Sequence, residues 1–176
     1  DGKAALVSGE CAKYTVVMRN TSSEDAEVHA DTSVALSSDS SQSSLFYSSD
    51  LCSTPLPSQT LLLTPEVTSG TFWVRSTTVG TFSLNATTFN LSTAFTVSTS
   101  AGTSAILVLS SAGSPSITQG VCAGPYSIGV QDAFGNSTVL PTSLSLGFRN
   151  TATASVASFG AFSDNACLNG AVAIPA

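Results

Sequence analysis

Four cysteines in two pairs with matching surroundings constrain this chain more than any other feature of its sequence. Gly9-Glu10-Cys11-Ala12-Lys13-Tyr14 matches Gly120-Val121-Cys122-Ala123-Gly124-Pro125-Tyr126 with one residue inserted, and Tyr47-Ser48-Ser49-Asp50-Leu51-Cys52 matches Phe162-Ser163-Asp164-Asn165-Ala166-Cys167 at equal spacing. The cysteines are 41 residues apart in the first copy and 45 in the second. Zinc sites draw their thiolates from pairs two to four residues apart, and the only histidine is His29. Disulfides fit better, Cys11 to Cys52 and Cys122 to Cys167, each closing one copy on itself in an oxidising compartment. No cofactor is expected.

The rest of the pattern has period two. Tyr14, Val16 and Met18 alternate, as do Tyr126, Ile128 and Val130, and Thr32–Leu36 matches Thr142–Leu146. Phe72 and Val74 share one strand face, and so do Phe82, Leu84 and Ala86. No segment sustains a 3.6-residue period. The reading is all-β, with tandem antiparallel β-sandwich modules over residues 1–100 and 101–176, one disulfide per module, and residues 98–105 as the joint. The strand at Ala105–Ser111 has its counterpart before Asp1, so module 1 is expected to lack its first strand. Module 2 ends at Val172–Ala176 and is expected to lack its last two. Either the chain is a piece of a longer tandem array, or strands from another chain complete each module.

Ser and Thr make up 54 of the 176 residues (32 and 22), against eleven acids and five bases, for a net charge of -6. Five cations cannot neutralise a run of phosphates, which excludes nucleic acid as a partner. The longest aliphatic stretch, Ala105–Leu109, is far below the ~20 residues of a membrane helix, so no membrane insertion is expected. A start at Asp1 reads as a processed or excised piece.

Val130-Gln131-Asp132-Ala133-Phe134-Gly135-Asn136, between alternating strands, resembles the turn of bacterial immunoglobulin-like repeats of the invasin/intimin type. Gly70–Val74 and Val79–Ala86 resemble the closing half of that repeat. The first copy departs, with Arg19-Asn20-Thr21-Ser22-Ser23-Glu24-Asp25 at the turn. The resemblance implies a structural or adhesive module of a surface fibre, with neighbouring repeats, copies of itself, or a cell-surface receptor or glycan as partners. A self-assembling filament subunit and a carbohydrate-binding module are the alternatives.

Catalytic readings are poorly supplied. His29 lies in an acidic, Ser-rich stretch with no nucleophile elbow, so a triad has no second anchor. Glu24, Asp25, Glu27 and Asp31 form the densest acidic cluster, without the spacing of a calcium loop, and read as a solvated face. Trp73, on the strand face opposite Phe72, is a candidate partner contact, and with Tyr47 a candidate sugar platform. Asn20, Asn85, Asn90 and Asn136 head sequons and are candidate glycosylation sites.

Overall fold

The computed structural model describes residues 2–40, 45–111, 121–143 and 167. The chain divides into two compact units, Asp1–Gly102 and Thr103–Ala176. Every regular element among the described residues is a strand, apart from a 3-10 turn at Pro57–Gln59. The chain is therefore all-β.

In the first unit the strands are β1 (Ala5–Val7), β2 (Cys11–Val17), β3 (Thr32–Ser38), β4 (Phe46–Tyr47), β5 (Thr60–Leu63), β6 (Ser69–Arg75), β7 (Gly80–Thr88) and β8 (Leu91–Ser100). They form a five-stranded sheet, β1-β8-β7-β3-β5, and a three-stranded sheet, β2-β6-β4. All pairings are antiparallel except that of β1 with β8. Period-two alternation builds the core directly. Thr32, Val34 and Leu36 turn inward from β3 while Ser33, Ala35 and Ser37 face solvent, and β6 buries Phe72 and Val74 on the same rule. Phe82, Leu84, Val97 and Leu6 from the larger sheet meet Ala12, Tyr14, Phe46, Phe72 and Val74 from the smaller one in a single apolar cluster. Each buried Leu, Val or Phe among them contributes roughly 1.5–3 kcal/mol. Tyr14 stacks on Phe72 at 5.8 Å between ring centres.

Of the second unit, β9 (Ile106–Ser111) and β10 (Tyr126–Gln131) are described, an antiparallel pair in continuous register from Ile106↔Gln131 to Ser111↔Tyr126. The expected strand through Leu144–Leu146, the repeat stretch Phe162–Ala166 and the truncated end at Val172–Ala176 lie outside the described residues.

Ala5–Val7 pairs in parallel with the end of β8, Gly2 bridges Tyr14, and Leu6, 2% exposed, anchors this short strand in the core. It is not the counterpart of β9, which pairs antiparallel with β10 and whose equivalent in the first copy falls before Asp1. One expectation needs correction: residues 98–105 are not all joint. Ser98, Thr99 and Ser100 are paired on both sides or capped by β1, and Thr99 is buried. Hydroxyl-rich composition mimics a linker, but here it marks a strand whose alternate face points inward.

Candidate functional site

Three local constructions position the residues that matter. The first ties the two ends of unit 1 together. The Ser98 amide donates to the Ala4 carbonyl at 2.9 Å and the Ser8 amide to the Ser100 carbonyl at 2.8 Å. Hydroxyls reinforce this seam: Ser98 Oγ donates to Ala4 O, Ser100 Oγ to Leu6 O at 3.2 Å, and Ser8 Oγ to Thr77 O at 3.0 Å. Beneath it, the Tyr14 hydroxyl donates to the Lys3 carbonyl, and Gly2 lies flat on the Tyr14 ring, where a Cβ would meet Cδ1 at 2.1 Å. Burial, with the nearby Glu10 charge second, pushes the Tyr14 phenol up to about 12. Glu10 binds the Lys3 ammonium and accepts the Val7 amide at 2.9 Å. Those contacts, Lys3 first, hold its carboxyl below its ordinary value.

The second construction is a turn built twice. Asp132, 1% exposed, accepts the amides of Phe134 and Asn136 on Oδ1, each at 2.9 Å. Its own amide donates to Asn136 O at 2.9 Å, the Gly135 amide donates back to Asp132 O at 3.2 Å, and Gly135 has φ +86°. In the first copy Asn20 Oδ1 accepts the amides of Ser22 and Glu24 at 2.9 and 3.0 Å, its amide donates to Glu24 O, and the Ser23 amide donates back. Ser23 has φ +65°. The flanking bridges also correspond, Arg19↔Asp25 with Gln131↔Ser137. The sequence suggested that the first copy departs here; in three dimensions it does not. An Asn oxygen accepts the same amides as an Asp oxygen, and Ser23 occupies the left-handed position that Gly135 fills without cost. The signal was available as a side-chain acceptor followed by a residue tolerant of positive φ three places on.

The third lies on the outer face of β2-β6-β4. Cys11 and Cys52 are bonded there with Cα atoms 5.8 Å apart, and Cys122 and Cys167 are bonded at the same separation in unit 2. The loop that carries Cys52 folds back over β4, with Tyr47 bridged to Pro55. Tyr47 is consequently 5% exposed and lies under the Arg75 guanidinium, 5.3 Å from the ring centre. It offers no platform to a sugar. Trp73, half-buried, sits in register between Lys13 and Tyr47.

The remaining candidates are scattered. His29, Glu27 and Asp31 are exposed, Glu24 accepts the Asn20 side-chain amide at 3.0 Å, and Asp25 pairs with Arg19 at 3.7 Å. Among the described residues no three His, Cys, Asp or Glu side chains converge as a metal would require. Asn90 is exposed at the β7–β8 hairpin tip, Asn85 is half-buried on β7, and Asn20 and Asn136 belong to the two turns. Beside the hairpin, β2 and β8 leave the sandwich open. The resulting cleft, about 420 Å³, is lined by Val16, Met18, Leu36, Phe46, Phe72 and Phe95.

No protein family matches the sequence, and no curated protein matches it. Among solved structures the chain is similar to segments of surface layer protein SbsC. Domains 4–9 overlay with a TM-score of 0.40 at 12% identity, covering 86% of this chain and 22% of that one. Domains 1–6 give 0.38 at 12%, covering 81% and 17%, and domains 5–6 give 0.38 at 14%, covering 84% and 74%. The chain thus spans about a fifth of the length of the longer SbsC structures.

Proposed function

We propose that this chain is a non-catalytic, tension-carrying module of a surface fibre or stalk, of the bacterial immunoglobulin-like type, working in an oxidising compartment. The observation that carries the reading is the parallel pairing of β1 with β8. A pull applied at residue 2 and at Gly102 draws these two strands past each other along their lengths. Ser98–Ala4, Ser8–Ser100 and the hydroxyl bonds beside them are then strained together, not peeled one after another, so yielding requires their simultaneous rupture. The disulfide adds a second limit, because the chain between Cys11 and Cys52 cannot extend. Both disulfides support the oxidising setting.

Stretching single tethered chains tests this. Unit 1 is expected to yield in one resolved event, with the Cys11-to-Cys52 span, a sequence separation of 41, missing from the released length until reductant is added. Ser98→Pro, which removes the amide that bonds Ala4, is expected to lower the yielding force. Equal forces for both chains would overturn the proposal.

Association with copies of itself is the second reading, favoured by the opening between β2 and β8. A carbohydrate-binding role lacks a comparable feature, since Tyr47 is covered.

A further inference from the structure

We propose that the open edge of β8 is an interface at which a second copy of the chain pairs strand to strand across a two-fold axis centred on Ala94. The inference rests on the self-association reading and names its site.

β8 is ten residues long, and β7 pairs with it from Leu91 to Thr99. On its other side β1 occupies only Ser98, Thr99 and Ser100. Among the described residues no strand pairs with the stretch Leu91–Val97 on that side. Backbone groups alternate in direction along a strand, and the Ser98 amide points to β1, toward Ala4. Ser92, Ala94 and Thr96 therefore present their amides and carbonyls to the open side. Three such residues at equal spacing are self-complementary. An antiparallel second copy places Ser92 against Thr96, Ala94 against Ala94 and Thr96 against Ser92, completing six backbone hydrogen bonds and joining two five-stranded sheets.

The strand carries none of the usual defences against such pairing. Leu91-Ser92-Thr93-Ala94-Phe95-Thr96-Val97 contains no charge and no proline, and the backbone is free of the bulges that turn edges away. The side chains that flank the axis on the solvent face, Ser92, Ala94 and Thr96, are small enough to admit a neighbour. Apolar surface lies at the end of the same edge: Leu91 is 56% exposed, and Phe89, at the hairpin tip with φ +45°, is 89% exposed. In the paired register Leu91 comes opposite Val97 of the second copy, beside the mouth of the cleft. The length of the open stretch also sets the register, because β1 blocks any slide beyond Val97.

Charge exchange at the axis tests this with the full chain. Light scattering over a concentration series is expected to show the wild type passing from monomer to dimer. Ala94→Lys and Ala94→Glu, each folded by its melting curve, are expected to stay monomeric, since like charges then face each other. An equimolar mixture of the two is expected to dimerise again, more weakly in high salt. Three results overturn the proposal. If Ala94→Lys alone dimerises as the wild type does, the copies associate elsewhere and only this interface falls. If both variants are monomeric but their mixture does not pair, the two-fold register falls. A wild type that remains monomeric at every concentration removes the interface and the self-association reading together.

Discussion

The side-chain amide of Asn136 spans the carboxylate of Asp132, 3.1 Å from Oδ1 and 2.9 Å from Oδ2. With the two backbone amides already on Oδ1, this pair closes the loop after β10, and Asn20 with Glu24 does the same after β2.

Removing the acceptor leaves those amides without their partner in a part-buried place. Asp132→Ala is expected to destabilise unit 2 by about 2–3 kcal/mol, and Asp132→Asn by less, because Asn20 shows that an amide oxygen serves. Urea unfolding followed by circular dichroism should therefore show an earlier midpoint. An unchanged dichroism midpoint would count against the turn as a stabilising element.

The Cys11–Cys52 bond closes a 41-residue loop. On the chain-entropy account its loss costs about 4 kcal/mol, a large share of a small domain's stability. Cys52→Ser should lower the urea midpoint of Trp73 fluorescence in oxidising buffer and abolish the effect of reductant on it.

Tyr14 predicts an alkaline weakness. Its phenol titrates at about 12 when folded, against an ordinary 10.0, so the folded form holds its proton longer than the unfolded chain. The stabilisation is complete below pH 10 and is lost between about pH 10 and pH 12, amounting to about 2 kcal/mol. Tyr14→Phe should flatten that part of the stability profile. A wild-type curve level from pH 9 to 11.5 would contradict it.

Glu10 acts at the other end of the scale. Its carboxyl titrates below 4.5 when folded, so its contribution is present above that pH and fades as pH falls through the lowered value. Lys3 is more than half exposed, and the effect should be a fraction of a kcal/mol. Glu10→Gln should remove it, read as a reduced slope of melting temperature between pH 4.5 and 2.5.

Glycan occupancy should separate the four sequons in a host that modifies asparagine. Asn90 stands exposed at a hairpin tip, whereas the Asn136 amide is spent on Asp132. Peptide mapping is expected to find sugar on Asn90 and none on Asn136; the reverse would show that the turn opens before modification.

Much of this architecture can be read from residue order. Strands β2, β3, β6, β7 and β10 follow from alternation, because each buries one face and the period states which. The misreadings share a cause. Ser98–Ser100 resembled a joint, since the inward placement of Thr99 depends on β1, some 90 residues earlier in the chain. Asn20 to Glu24 resembles a departure, since residue identity changes there while hydrogen-bond capacity is kept. Tyr47 resembles a platform in sequence, but the loop held by Cys52 covers it. The open edge of β8 has no sequence signature beyond an uncharged stretch, as it is defined by what β1 stops short of covering.

The seam between β1 and β8 is fastened by amides and hydroxyls donating to carbonyls, with no ion pair among these contacts. Dissolved ions weaken attraction between exposed charges and leave neutral donors and acceptors nearly untouched. A strand pair fastened in this way holds equally well in brine and in fresh water, and the abundance of serine in so weakly charged a chain is what makes that indifference possible.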